Sequence, residues 1–168
     1  MKIKFVTAII IAVQMMNGDA FAFEYTLGKR KFDLPLPKEW LAKSPKKDSL
    51  VFFDAKESQP RPIISVYSSP FEYPKDLSVF EGSYKMKKKE WVTEVDAKEN
   101  GTPKFEYFKE KKTVLISYFF EINKISYVEE VSFQECDKDS GMALKILRPV
   151  KSEMSQSKTL LKSKLCQP

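Results

Sequence analysis

From Lys104 to Cys136 apolar and polar residues alternate along most of the stretch, the pattern of strands that bury one face. Ile122-Asn123-Lys124-Ile125 reads as a two-residue hairpin turn, because asparagine tolerates the positive φ that such a turn requires. With that turn fixed, Phe120 stands opposite Tyr127, Ile116 opposite Val131 and Val114 opposite Phe133. A second turn around Lys109 to Lys112 sets Phe105 opposite Ile116 and Tyr107 opposite Val114. The expectation is a three-strand antiparallel meander with one aromatic and aliphatic face. That face is expected to turn inward, against the helix residues Phe80, Tyr84 and Trp91 and against a final helix.

Before the meander, Phe23 to Leu27 alternates, Gly28-Lys29 can turn tightly, and Arg30 to Leu34 returns with Tyr25 opposite Phe32 and Phe23 opposite Leu34. Pro35 and Pro37 are expected to end this hairpin. Lys38 to Leu41 is expected to form one helical turn that tucks Trp40 against the core, and residues 43–48 a loop. Ser49 to Asp54 contains the unbroken apolar run Leu50-Val51-Phe52-Phe53. Ile63 to Tyr67 reads as its hairpin partner across a polar loop from Glu57 to Pro62. From Asp76 to about Val95 the period becomes helical, with Phe80, Tyr84, Trp91 and Val95 on one stripe and Leu77 and Val92 beside it. Asp76 competes with Ser78 as the N-cap, since Ser78-x-x-Glu81 matches a capping box. After a turn at Asp137 to Gly141, residues Met142 to Leu147 fit a short strand or a short helix, and the abrupt stop at Arg148-Pro149 favours the strand. Ser152 is expected to cap a last helix reaching about Leu165. The fold class is α+β: an antiparallel sheet packed against two principal helices, an α/β sandwich.

At 168 residues and 42% hydrophobic composition the chain suits one domain with a real core. Its start reads as a signal peptide. Met1 to Lys4 is basic, Phe5 to Val13 is an apolar run too short to span a bilayer, and Ala20-Phe21-Ala22 fits a cleavage site. Residues 1–22 are therefore expected to be removed after Ala22, leaving 23–168 as a single α+β domain in the periplasm or secreted, without a transmembrane segment. A retained anchor is the alternative. The net charge is +6, and loss of Lys2, Lys4 and Asp19 with the leader gives +5. The two cysteines, Cys136 and Cys166, read as a disulfide in such a compartment. It closes a loop of about 30 residues, worth roughly 3–4 kcal/mol in the chain-entropy model.

The chain contains no histidine, which removes the commonest general base, the commonest zinc ligand and every Ser-His or Cys-His pair. With both cysteines bonded no thiolate remains, and no phosphate-cradling or nucleophile-elbow motif occurs. No enzyme activity, cofactor or metal is expected. Glu129 and Glu130 are adjacent in a strand and point to opposite faces, so they cannot act together on one bond. Glu129 falls on the apolar face, opposite Tyr118. It reads as a perturbed functional carboxylate or, more simply, as a rim position or a tyrosine hydrogen bond. Lys85, Lys87, Lys88 and Lys89 on the long helix are a candidate contact for an anionic envelope component or an acidic protein; the simpler account is the solvated outer face of an amphipathic helix. Nucleic acid is an unsuitable partner for an exported chain whose basic residues are dispersed.

The segment Phe32-Asp33-Leu34-Pro35-Leu36-Pro37-Lys38-Glu39-Trp40 resembles the strand–Pro–x–x–Trp entry of PsbP-like and DcrB-like domains, and the later order of helix, meander and helix is similar to theirs. The resemblance implies a compact α/β sandwich serving as a non-enzymatic adaptor or accessory protein at membranes. The Cys136–Cys166 pair is a departure from that pattern, and no site residue carries over. The expected function is an exported, non-catalytic binding or adaptor protein of the cell envelope, acting through protein or envelope-surface contacts. The alternative is a carrier of a small apolar ligand held between sheet and helix.

Overall fold

The structure is a computed structural model that describes residues 21–37, 39–56, 60–138, 140–152, 154 and 157–166. In chain order the strands before the long helix are β1 (Phe21–Leu27), β2 (Arg30–Leu36), β3 (Trp40–Lys46), β4 (Ser49–Asp54) and β5 (Ile63–Ser69). Helix α1 spans Leu77–Glu94. After it come β6 (Lys98–Glu99), β7 (Lys104–Phe108), β8 (Thr113–Ile122), β9 (Ile125–Asp137), β10 (Ser140–Pro149) and helix α2 (Ser157–Leu161). Strands β1 and β2 form a separate two-stranded sheet. The other eight form one sheet in the order β3-β4-β5-β10-β9-β8-β6, with β7 also on β8. All pairings are antiparallel, so the α+β class holds.

The meander has the expected register. Phe120 pairs with Tyr127, Ile116 with Val131 and Val114 with Phe133, while Phe105 meets Ile116 and Tyr107 meets Val114. Asn123 and Lys124 both take positive φ, 51° and 64°, as a type I′ turn demands. The first hairpin also keeps its register, Tyr25 on Phe32 and Phe23 on Leu34, around Gly28 at φ +64°. It does not stop at Pro35: β2 continues to Leu36. A proline is tolerated in a two-stranded sheet because every strand has an open edge.

Other expectations are corrected. Trp40 does not sit in a helical turn; a tight turn, with its N–H on the Pro37 carbonyl at 3.1 Å, leads straight into β3. The loop expected at residues 43–48 is largely strand, because β4 supplies a partner along Trp40 to Lys43 and again at Lys46. The last helix is five residues long, and Ser152 instead donates its N–H to the Pro149 carbonyl in a turn. The doubtful segment at Met142 to Leu147 is strand, the middle of the ten-residue β10. The expected signal peptide lies, up to residue 20, outside the described residues.

The large sheet has two differently covered faces. Phe52, Ile64, Val66, Met142, Leu144 and Ile146 on one face are fully buried beneath Phe32, Leu34 and Leu36 of β2 and beneath Leu160 and Leu165. The C-terminal segment is therefore on the side away from the meander's aromatics, contrary to the expected packing. It is fixed there by the Cys136–Cys166 disulfide, with Cα atoms 5.1 Å apart, and by Gln134. The Gln134 amide donates to the Ser163 carbonyl at 2.7 Å and accepts from the Leu165 N–H at 3.0 Å. On the other face α1 packs over β7, β8 and β9 through Phe80, Tyr84, Trp91 and Val92. Asp76 is its N-cap, accepting from the Ser78 and Val79 N–H groups, a bond pattern worth about 1 kcal/mol. Over β3 and β4 this face carries no helix among the described residues, and Leu41 is 48% exposed.

Candidate functional site

Along α1 the sheet-facing stripe runs Phe80, Tyr84, Lys88, Trp91, spaced i, i+4, i+8, i+11, the geometry of one helix face. A lysine thus occupies a position that the aromatic pattern assigns to the interior. Its side chain is 16% exposed, and its ammonium lies 5.0 Å from the Trp91 ring centre, 5.6 Å from that of Tyr84 and 5.7 Å from that of Tyr118. Val95, placed on the same stripe by periodicity, is instead the helix C-cap and is 37% exposed.

Across the interface, Glu129 of β9 is 3% exposed. Its Oε1 accepts a hydrogen bond from Lys88 and one from the Tyr84 hydroxyl at 3.4 Å. Its Oε2 lies 3.6 Å from the ammonium of Lys145 on β10. Glu129 is thus no rim residue. Tyr118, its register partner, donates to Glu99 at 3.0 Å instead. A buried charge requires a paired partner, and the two sequence anomalies, a carboxylate on the apolar sheet face and an ammonium on the apolar helix stripe, satisfy each other.

These groups line a cleft of about 420 Å³ between α1 and the sheet, with Phe80, Tyr84 and Trp91 on one wall and Tyr67, Val131 and Phe133 on the other. Burial lowers the Lys88 pKa, against the opposing pull of Glu129. Burial first, and the Glu129 charge second, push the Tyr67 hydroxyl up to about 12. The same causes, with the hydrogen bond to Glu129, raise Tyr84. Tyr118 rises through burial and then its bond to Glu99. Every phenol here is a neutral hydroxyl at physiological pH. Glu129 is the one carboxylate among the lining residues, and Glu130 points to the opposite face, where Arg148 holds it at 3.2 Å. Among the described residues no cluster of three or more His, Cys, Asp or Glu could hold a metal ion.

Of the four helix lysines singled out from sequence, Lys85, Lys87 and Lys89 are exposed and Lys88 is not at the surface. Lys85 pairs with Glu81 at 3.1 Å and lies over the Phe105 ring at 5.5 Å; Lys87 stands at the cleft. Lys145 and Tyr67 were not candidates from sequence. The signal available for them was register: Lys145 pairs with Val131 on one side and Ser65 on the other, which places it on the same face as Glu129. Among the described residues no helix is long and apolar enough to cross a membrane.

No known protein family matches the chain by sequence, and no curated protein matches it. Solved structures with a similar fold include the following three. The Ran-binding protein Mog1p of Saccharomyces cerevisiae shares 16% identity at a TM-score of 0.49, over 83% of this chain and 84% of that one. PA94 of Pseudomonas aeruginosa, a protein of unknown function, shares 12% at 0.46, over 88% and 98%. A Bacteroides thetaiotaomicron protein shares 11% at 0.49, over 82% of this chain, which spans only 45% of that protein's length. At these identities and TM-scores the likenesses carry neither a family nor a function to this chain.

Proposed function

We propose that the chain is an exported, non-catalytic adaptor of the cell envelope that binds an acidic protein segment across the open half of its sheet. The carrying observation is the helix-side face of β3, β4 and the Ile63 end of β5, which no helix among the described residues covers. Leu41 is exposed there, and Val51, Phe53 and Ile63 are only partly buried. Basic groups stand over this apolar floor: the Lys43 ammonium is 5.3 Å and the Arg61 guanidinium 4.3 Å from the centre of the Phe53 ring. Aromatic and aliphatic surface rimmed by cations, on a chain of net charge +6, is complementary to an acidic segment with apolar side chains. Export is supported by the basic start, apolar run and Ala20-Phe21-Ala22 of the sequence, and by the formed disulfide. Membership of the PsbP-like or DcrB-like group is part of the proposal and is supported by the 32–40 motif.

A photocrosslinking residue at position 41, in cells expressing the full chain, tests the surface. One discrete protein adduct is expected, lost when Lys43→Glu is added and absent when the probe sits at Lys158 on the C-terminal side. Equal labelling from both positions refutes the surface. Intact mass tests export, with a mature chain starting at Phe23 expected and retention of residues 1–22 refuting it.

A second function, a small-ligand carrier, is favoured by the cleft under α1. Its charged lining changes the ligand from purely apolar to amphipathic.

A further inference from the structure

On the basis of the second function, we propose that the cleft under α1 binds a carboxylate with an apolar body, and that Lys145 is its counter-ion. The two inner lysines differ in what they have left to offer. Lys88 is nearly covered, bonded to Glu129 and enclosed by three rings. Lys145 is 35% exposed, and its ammonium lies 3.6 Å from Glu129 Oε2, too far for a hydrogen bond. Among the described residues it pairs with Glu129 alone, so its three N–H donors remain available for an incoming oxygen.

The lining carries Lys87, Lys88 and Lys145 against the single carboxylate of Glu129, a surplus of two positive charges. One of these is offset by whatever anion enters beside Lys145, and the other sits at the mouth on exposed Lys87. The Tyr67 hydroxyl, neutral at physiological pH because burial pushes it up to about 12, adds a donor on the same wall. The remaining walls are the rings of Phe80, Tyr84, Trp91 and Phe133 and the side chain of Val131. A volume of about 420 Å³ falls within the usual range for small organic ligands, in which apolar walls supply most of the contact and a few polar groups fix orientation. A cationic amphiphile meets the positive surplus. A neutral one leaves the Lys145 donors facing an apolar body. A bare inorganic anion leaves the aromatic walls wet. A carboxylate on an aliphatic or aromatic body satisfies both halves of the lining.

The test is calorimetric titration of the full chain with decanoate, decanol and decylamine near neutral pH, with Trp91 fluorescence as a second readout. Decanoate is expected to bind one per chain, at least about tenfold tighter than either analogue, since one charge-assisted pair in a partly buried site contributes on that scale. Lys145→Met is expected to remove that preference, with decanoate falling to the level of decanol, while Lys145→Gln, a second variant with an unchanged urea midpoint, falls likewise. Ser83→Trp, at an exposed position in the lining, is expected to block all binding. Decanol binding as tightly as decanoate, or decanoate binding unmoved by both Lys145 variants, overturns the carboxylate assignment and leaves the carrier function standing. Absence of binding by all three probes overturns the carrier function together with it.

Discussion

Replacing Glu129 by glutamine removes one charge and almost no volume, so it isolates the electrostatic brace between α1 and the sheet. In the wild type the carboxylate is 4% and the Lys88 side chain 16% exposed. Opposite charges about 4 Å apart attract by about 4 kcal/mol at an effective dielectric near 20, and stranding one member of a buried pair costs about 3–5 kcal/mol. Lys88 keeps a little solvent contact, so the low end applies, about 3 kcal/mol. With a urea slope of about 2 kcal/mol/M for a domain of this size, the midpoint falls by about 1.5 M. Lys88→Met is expected to cost less, about 1–2 kcal/mol, because Glu129 retains Tyr84 at 3.4 Å and Lys145 at 3.6 Å. The double variant Lys88→Met, Glu129→Leu is expected within about 1 kcal/mol of wild type, since an apolar pair of similar volume avoids the desolvation cost. The cycle then gives a coupling that the single variants cannot. The pH dependence has a definite sign. Burial lowers the folded-state pKa of Lys88, and loss of Glu129 lowers it further. The deficit of Glu129→Gln must therefore shrink as pH rises through that folded value toward 10.5, where the unfolded chain still binds the proton. A midpoint shift below about 0.5 M at unchanged slope, or a deficit that does not diminish at alkaline pH, refutes the brace.

Three further outcomes follow from separate parts of the fold. Replacing both Cys136 and Cys166 by serine opens a loop with a sequence separation of 30, worth roughly 3–4 kcal/mol. The calorimetric Tm is expected to fall by about 10 °C, and a fall of under about 3 °C contradicts a constraining role. Folded-state tyrosine pKa values are raised, to about 12 for Tyr25 and Tyr67 and further for Tyr84, Tyr107 and Tyr118. The stability they contribute is complete below about pH 10 and is lost progressively as pH rises above it, because there only the unfolded chain gives up those protons; urea midpoints that stay level between about pH 10 and 12 while tyrosinate absorbance remains suppressed are inconsistent with it. A Cβ on Gly141 would come within 2.5 Å of the Gln134 carbonyl oxygen and 3.0 Å of Phe71, so Gly141→Ala is expected to cost about 3 kcal/mol. Gly82→Ala in α1, where a Cβ meets nothing within 4 Å, is expected to stabilise by about 1 kcal/mol, and equal effects at the two glycines would refute the packing account.

Much of the fold is legible in local rules, and its gaps have one physical source. The meander could be read to the residue because Asn123-Lys124 fixes a turn and period-two alternation then leaves no freedom of register. Helix α1 could be read from its stripe and its Asp76 cap. By contrast, β3 reads Trp-Leu-Ala-Lys-Ser-Pro-Lys, with no alternation and a proline. It is a strand because β4, apolar enough to be strand on its own, offers it an edge. The C-terminal segment erred in the other direction. Ser152 and the spacing of Met154, Leu161 and Leu165 resemble a helix, yet Leu160 and Leu165 are fully buried with only one short turn of α-helix, since the disulfide and Gln134 hold the chain against the sheet without helical periodicity.

The site shows why partial legibility can mislead. Reading a lysine-rich run as solvent-facing is sound for Lys85, Lys87 and Lys89, and fails for Lys88 because position on the helix, not charge, decides which way a side chain points. Lys88 stands four residues after Tyr84 and three before Trp91, so the stripe that places those rings on the sheet places the lysine there too. An ammonium at such a position is stable only opposite an anion, and the sheet face under it offers Glu129, itself out of place among Tyr127, Val131 and Phe133 by the same alternation. Each residue alone reads as an exception to be excused at the surface. Taken together, the helical period of one segment and the strand period of another point at the same contact. The surplus ammonium of Lys145, visible only once β10 is seen to neighbour β9, converts that structural pair into a charged and occupiable cleft.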